Sequence, residues 1–215
     1  MDPSKIEIYV TPFYNSEGPI VQVGKHSNGL ASKESEKFLN TIHTMKENWP
    51  ELTVEELYVG AIRLYDEGYR DEAVFWFYTA QLRSRVFRGI LDQAKVGGMG
   101  SAGFELMHAQ NSFYQLAGPY INGYAFGHPE QLLAIVEDVS KEKEDFPDFS
   151  KLYPKVSFIP PASRPAIVDE VVGGMSGLSS YIKENGESLK QQRIESGADE
   201  RFGNLNSKEL TSRER

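Results

Sequence analysis

A capping box followed closely by a helix stop constrains this chain more than any other feature of its sequence. The motif at residues 53–56 reads Thr-Val-Glu-Glu. In such a motif the Thr53 hydroxyl accepts a hydrogen bond from a first-turn amide, and the Glu56 carboxylate reaches back to the Thr53 amide. We therefore predict that a helix begins at Val54 and runs to Glu67.

The residues after this helix predict a tight helical hairpin. Gly68 suits a helix C-terminus, because glycine tolerates the left-handed backbone conformation. Asp71 is predicted as the N-terminal residue of a second helix that reaches residues 83–87. Two helices with so short a connection must be antiparallel neighbours. Residues 73–80 of the second helix are apolar on nearly every side, so we expect other helices on both of its faces and place it at the centre of the fold.

The hairpin at residues 57–82 resembles one tetratricopeptide repeat (TPR). The positions that match the spacing of that repeat are Leu57, Ala61, Leu64, Gly68, Asp71, Glu72, Ala73, Phe77 and Ala80. Gly60 departs from the pattern, which usually has a large apolar residue there. Residues 73–80 are also similar to the aromatic-rich second helix of Sel1-like repeats. Because no second copy follows in the same register, we predict a mainly α-helical fold, either a helical bundle that uses one such hairpin or a TPR-like helical array.

The resemblance implies a position for a partner-binding surface. In such repeats the first helix lines the concave side, which places Tyr58, Ile62, Tyr65 and Asp66 at a groove. The apolar pattern offers an alternative, in which Tyr58, Ile62 and Tyr65 are core residues.

A local basic cluster supplies a second set of candidate partner-binding residues. Arg83, Arg85 and Arg88 lie close together in an otherwise acidic chain. The alternative is that they complement the partial negative charge of a helix C-terminus and form surface ion pairs.

Three segments are predicted along the chain. Residues 1–29 form an N-terminal β-hairpin segment, since two short runs rich in β-branched residues flank a turn-like stretch. Residues 30–186 form the helical domain, which contains the repeat-like hairpin at residues 53–87. Residues 187–215 form a polar, partly disordered C-terminal tail, because apolar residues become sparse there.

Apolar spacing predicts further helices inside the helical domain. They lie at about residues 38–49, 104–116, 129–143 and 167–182. We expect the helix at 104–116 to end before Gly118 and Pro119. The glycines of the last helix, Gly173, Gly174 and Gly177, are expected to allow close helix contact or a kink.

Composition excludes several classes of function. The absence of cysteine removes disulfides, thiolate metal sites and cysteine nucleophiles. A formal net charge of −8 disfavours binding to nucleic acid and to anionic membranes, and it favours a basic protein partner; the alternative is that the charge only maintains solubility. Because the sequence shows neither a signal-peptide pattern nor an apolar run long enough to span a membrane, we predict a cytoplasmic protein.

Three short motifs bear on chemistry. The G-x-G-x-x-G pattern at residues 98–103 lacks the βαβ context of a dinucleotide site. Glu105 and His108 have the i, i+3 spacing of a di-iron helix, but no second pair exists. Ser176 misses the nucleophile-elbow pattern. We therefore predict no catalytic residue, cofactor or metal, and the loop at residues 97–103 is the best ligand-contact candidate outside the hairpin.

These observations favour a protein-binding helical module that is not an enzyme. Its size, acidity and lack of cofactor motifs suit an immunity or inhibitor protein that neutralises a cognate bacterial toxin, so that the partner is a basic toxin or a secreted effector. The alternatives are an adaptor or chaperone of a secretion system, a structural subunit, and a ligand-binding bundle or enzyme that uses the loop at residues 97–103. The sequence leaves the oligomeric state open.

Overall fold

The computed structural model describes Ser4 and residues 24–210, apart from the side chains of Glu144 and Asp145. The strands of the predicted N-terminal β-hairpin lie outside these described residues. The end of that predicted segment is helical, with a short 3-10 helix at Gly24–His26 that leads into a first α-helix.

The described part of the chain is mainly α-helical, as the sequence predicts. Its α-helices are α1 (Ser27–Leu30), α2 (Ser35–Glu47), α3 (Val54–Glu67), α4 (Arg70–Ile90), α5 (Ala102–Ala125), α6 (Pro129–Ser140), α7 (Phe149–Leu152), α8 (Arg164–Glu184), α9 (Gly186–Glu195) and α10 (Ala198–Phe202). Further short 3-10 helices lie at Trp49–Glu51, Lys141–Asp145 and Pro161–Ser163. Within residues 24–210, β-type pairing is limited to one isolated antiparallel bridge between Leu91 and Phe158.

The local signals of the hairpin are confirmed. The Thr53 hydroxyl accepts a hydrogen bond from the Glu56 amide at 3.2 Å, and the Thr53 amide donates to the Glu56 carboxylate at 2.9 Å. Gly68 ends α3 with a φ of 90°, in the left-handed region. Helix α4 begins slightly earlier than predicted, with Tyr69 as its N-cap, so Asp71 lies in its first turn. There the Asp71 carboxylate accepts a hydrogen bond from the Tyr124 hydroxyl at 2.7 Å.

Helix α4 lies at the centre of the fold, as its apolar surface predicts. It packs against α3, α5, α6 and α8. Trp76 and Phe77 have no exposed surface. The departure from the repeat pattern at Gly60 has a packing reason, because a Cβ at that position would lie 2.4 Å from the Trp76 ring. The indole fills the space that a large side chain on α3 would otherwise take.

The prediction that a helix ends before Gly118 and Pro119 is wrong. Helix α5 continues through both residues to Ala125. A proline inside a helix removes one backbone hydrogen bond and leaves the carbonyl four residues earlier without its partner. That carbonyl belongs to Gln115, and both Gln115 and Pro119 are exposed, so water can satisfy it. The opposite side of the helix buries Ala117 and Ile121 completely, which favours continuation.

The glycines of α8 also differ from the prediction. The helix runs unbroken through Gly173, Gly174 and Gly177. All three are exposed, and a Cβ at any of them would meet no atom within 4 Å. The close approach of α8 to α4 occurs at Gly89, where a Cβ would lie 2.6 Å from the Ile167 side chain.

The segment predicted to be a polar, partly disordered tail is folded onto the domain as far as residue 210. Arg193 of α9 is buried and donates to the Asp199 carboxylate and to the Gly123 carbonyl, both at 2.7 Å. The Lys208 amide donates to the Gly68 carbonyl at 2.8 Å. Residues 186–210 therefore belong to the helical domain, and residues 211–215 lie outside the described part.

None of the helices in the described part is both long enough and apolar enough to cross a membrane.

Candidate binding cleft between α4 and α5

Three residues that the repeat pattern places at a groove lie in the core. Tyr58 and Tyr65 are 1% and 0% exposed, and Ile62 is 8% exposed. The expectation of an open concave side on α3 is wrong, because α5 and α1 pack against this helix as well as α4. The alternative, that these side chains are core residues, is confirmed.

Asp66 lies at the edge of this core. Its carboxylate is 3.5 Å from the Arg63 guanidinium, one helical turn earlier. The pair is largely buried, and Arg63 also contacts Glu67 at 2.8 Å. Asp66 is therefore part of an ion-pair group on α3.

The three candidate arginines face different environments. Arg83 has no exposed surface, and its guanidinium donates to the Glu142 carboxylate at 2.8 Å and to the Trp49 carbonyl at 3.0 Å. Glu142 also accepts from the Trp49 indole at 2.7 Å. A buried guanidinium is tolerated only when its charge and donors have such partners. Arg83 thus joins α4 to two 3-10 helices and is not accessible to a partner.

Arg85 and Arg88 are exposed on the opposite side of α4. Among the side chains that the structure describes, no carboxylate lies within ion-pair distance of either guanidinium. Some exposed bases elsewhere have carboxylate partners, such as Lys141 with Asp138 at 2.6 Å, but Arg85 and Arg88 lie one helical turn apart on the same face of α4. The two arginines are therefore an uncompensated positive patch on an acidic chain.

The two arginines border a cleft of about 160 Å³, here called the arginine cleft. Its lining residues are Tyr58 from α3, Gln81, Ser84, Arg85 and Arg88 from α4, and Gln110, Asn111 and Tyr114 from α5. Tyr114 is 42% exposed at the rim. The cleft thus combines two cations with aromatic and amide groups.

Tyr58 supplies a hydroxyl to this cleft from a side chain that is otherwise buried. Its ring is held by stacking on Phe113, with 5.8 Å between the ring centroids, and by an edge contact with Phe77 at 5.7 Å. Among the described residues its hydroxyl has no hydrogen-bond partner. Burial raises the pKa of the Tyr58 phenol, so the group remains a protonated donor at neutral pH.

A hydrogen-bonded network fixes the wall of the cleft. The Ser84 hydroxyl donates to the Gln110 carbonyl oxygen at 2.8 Å, and the Gln110 amide donates to the Glu55 carboxylate at 2.8 Å. The Tyr153 hydroxyl donates to the second Glu55 oxygen at 2.8 Å. Burial is the main reason that the pKa of Glu55 lies above its ordinary value. Because both ends of the Gln110 side chain are engaged, its orientation is set.

A second recess adjoins the arginine cleft on the side of α8. It measures about 90 Å³ and shares Gln81 and Arg85 with the cleft. Its other lining residues are Tyr78, Leu82, Gly174, Met175 and Leu178. The exposed face of α4 therefore runs between α5 and α8, with a polar recess on one side and a mostly apolar one on the other.

Part of the glycine-rich loop is hydrogen-bonded within the chain. The Gly100 amide donates to the Glu105 carboxylate at 2.8 Å. The Ser101 hydroxyl donates to the Val96 carbonyl at 2.6 Å. The Gly100 amide is therefore already engaged by a carboxylate of the chain itself. His108 stacks on Phe104, with 4.3 Å between the ring centroids.

The described residues contain no group of three histidine, aspartate or glutamate side chains that could hold a metal ion. A wide apolar groove of about 500 Å³ lies next to the loop, between the start of α5 and residues 152–156. Its charged lining residues are Lys155 and Glu105, and Glu105 already accepts from the Gly100 amide, so the arginine cleft with its two bases is the better candidate site.

Part of this site could be found by sequence analysis. Tyr58, Arg85 and Arg88 were candidates, although on two separate surfaces. Gln110, Asn111 and Tyr114 were not predicted. These three residues form a polar stripe at positions i, i+1 and i+4 of α5. The stripe indicates a binding site only when α5 is known to lie beside α4.

No family model matches the chain, and no solved structure matches it. An uncharacterized protein of Haemophilus influenzae is 30% identical over 145 residues. The alignment covers 63% of this chain and 52% of that protein, so the chain spans about half the length of the curated relative it matches.

Proposed function

We propose that this chain is a helical protein-binding module and that the arginine cleft is its partner-binding surface. The observation that carries the proposal is the exposure of Arg85 and Arg88 without a carboxylate partner among the described side chains, in a chain of net charge −8. Other bases of the chain also lie without a carboxylate partner, but Arg85 and Arg88 are one helical turn apart and line the same cleft. Two adjacent unpaired guanidiniums are therefore available to another molecule.

The residue types of the cleft support a protein as the partner. Arginine and tyrosine are enriched among the residues that dominate protein interfaces, where a truncation costs about 2 kcal/mol or more. Arg85, Arg88 and the exposed Tyr114 lie side by side here. The proposal assigns no catalytic role to the chain.

Affinity capture from the source organism tests this function. We expect the tagged chain to retain a partner, and the double variant Arg85→Glu and Arg88→Glu to lose it. The matched control is Lys33→Glu with Lys190→Glu, which makes the same change in net charge at exposed positions distant in sequence from the cleft. Equal loss in both variants would indicate an effect of overall charge, and equal retention would move the interface elsewhere. Either result contradicts the proposal.

The identity of the partner is a narrower part of the proposal. Size and acidity support an immunity or inhibitor protein with a basic toxin as its partner. We expect expression of a captured toxin to stop the growth of a bacterial host and co-expression of this chain to restore it. If the captured protein is harmless and is exported, the adaptor or chaperone function takes its place. If light scattering shows a defined hetero-oligomer with a harmless, non-exported protein, the chain is a structural subunit.

A further inference from the structure

We infer that the arginine cleft binds a carboxylate, held by Arg85, Arg88 and the Tyr58 hydroxyl, and that this carboxylate is an aspartate or glutamate side chain of the partner. The inference rests on the proposed function, because it names the chemical group by which a partner is anchored.

The first step is the unpartnered hydroxyl of Tyr58. A phenol hydroxyl that borders a cleft and has no protein partner can donate a hydrogen bond to a group bound there. Tyr58 is 1% exposed and lines the cleft, and it lies near enough to Arg85 and Arg88 to be affected by their charges. An acceptor bound in the cleft would complete its hydrogen bonding.

The second step is the sign and shape of the acceptor. Two guanidiniums and one hydroxyl are all donors, so the complementary ligand group is an anion. A guanidinium matches the planar, two-oxygen geometry of a carboxylate. Glu55 lies behind Gln110, and Arg88 is in the last turn of α4, where the helix carbonyls carry partial negative charge. Both features disfavour a doubly charged phosphate more than a singly charged carboxylate.

The third step is the source of the carboxylate. The cleft of about 160 Å³ accepts only a small group, and on the other side of Gln81 and Arg85 it adjoins the recess beside α8. That recess is lined mainly by apolar atoms of Leu82, Met175 and Leu178. The exposed glycines of α8 leave the space above it open. An extended peptide segment with an acidic residue beside an apolar one fits both recesses.

Titration of the full chain with short peptides, followed by NMR, tests this inference. The probe is acetyl-Ala-Glu-Leu-amide, its neutral control is acetyl-Ala-Gln-Leu-amide, and inorganic phosphate is the competing anion. We expect saturable shifts of the Tyr58, Arg85 and Arg88 signals with the glutamate peptide only. Tyr58→Phe keeps the ring and should weaken binding about tenfold, as expected for one hydrogen bond to a charged group. Tyr181→Phe, at an exposed site on α8, should leave binding unchanged.

A loss of binding is informative only if the variant is folded. Thermal unfolding shows whether Tyr58→Phe is folded, and Arg88→Gln tests the same site if it is not. Equal binding of the glutamine peptide, tighter binding of phosphate, or unchanged affinity in both variants would overturn the inference.

The outcomes also separate this inference from the proposed function. If partner capture depends on Arg85 and Arg88 but the glutamate peptide does not bind, only the carboxylate anchor is overturned. If the peptide binds as expected while capture is unaffected by the arginine substitutions, the cleft binds a carboxylate but the captured partner does not supply it.

Discussion

Arg83 and Arg85 show how strongly a displacement of two residues along a helix changes the role of a side chain. Successive residues of an α-helix are about 100° apart, so these two arginines point in nearly opposite directions. Arg83 turns inward to Glu142, whereas Arg85 turns to solvent with Arg88. In the sequence, Arg83, Arg85 and Arg88 form one cluster. Only the burial of α4 on several sides shows that one of them is structural.

Tyr65→Ala distinguishes a core residue from a groove residue. Tyr65 has no exposed surface and contacts Tyr124 edge to face, with 6.4 Å between the ring centroids. We expect urea denaturation to show a loss of about 3–5 kcal/mol, as for other large aromatic truncations in cores. Tyr181→Ala, at a site that is 47% exposed, should change stability by less than about 0.5 kcal/mol. Similar small losses in both variants would place Tyr65 outside the core.

His26 should make stability depend on pH. Burial is the main cause that lowers the pKa of this histidine in the folded chain, with Glu56 opposing and Lys25 reinforcing the shift. The unfolded chain then binds the proton more readily, so stability is retained above the ordinary pKa of 6.5 and is lost as the pH falls below it. Glu55, whose folded pKa is raised, acts in the opposite direction.

The comparison of wild type with His26→Gln isolates this effect, because Glu55 is common to both. We expect the unfolding free energy of wild type, relative to that of His26→Gln, to decrease from about pH 7.5 to about pH 5.5. A constant difference over this range would show that His26 does not titrate differently in the two states.

At the scale of helices, the glycines of α3 and α8 have opposite surroundings. Gly60 lies against the Trp76 ring, so the α3–α4 contact requires its missing side chain. Gly174 has open space around it and has no packing role. Helix propensity alone treats the two alike, at about 1 kcal/mol relative to alanine.

Gly60→Ala and Gly174→Ala form a matched pair. We expect Gly60→Ala to destabilise the chain by about 1–3 kcal/mol, because overpacking exceeds the gain in helix propensity. Gly174→Ala should stabilise it by about 0.5–1 kcal/mol. Thermal and urea unfolding measure both changes. Stabilisation by both substitutions would mean that α3 and α4 are further apart than the structure shows.

At the scale of the whole molecule, the C-terminal segment is attached by polar contacts and by the buried ring of Phe202, which packs on Gly123 of α5. Helix α9 buries a single residue, Arg193, and has no apolar stripe. Past α10 the chain is extended and returns to the α3–α4 turn, where Lys208 and Ser207 bond to the hairpin. Polar contacts leave no apolar periodicity in the sequence, and for that reason the sequence predicts a partly disordered tail here.

The double variant Ser207→Ala and Lys208→Ala tests this attachment. It removes the acceptor of the Asp71 amide and the ammonium that donates to the Glu67 carbonyl at 2.7 Å. We expect a stability loss of about 1–2 kcal/mol and faster hydrogen exchange of the Asp71 amide. Asn204→Ala, at an exposed site in the same segment, serves as control. Unchanged exchange at Asp71 would show that the segment is not docked in solution.

The sequence alone determined the features that depend on neighbours within a few positions. Thr53 and Glu56 are three residues apart, and Gly68 can adopt the left-handed conformation because it has no side chain. The bounds of α3 and its turn into α4 could therefore be predicted. The all-round apolar surface of residues 73–80 was enough to place α4 at the centre.

Only the tertiary structure decided which surfaces remain open. Helix α5 covers α3 and moves Tyr65 into the core, and it brings Tyr114 to Arg85 and Arg88 to make the cleft. The free energy that continues α5 through Pro119 comes from buried contacts between residues far apart in sequence, such as those of Ile121. A periodicity in one segment contains no information about the segment that packs on it. For that physical reason the hairpin was predictable and the arginine cleft was not.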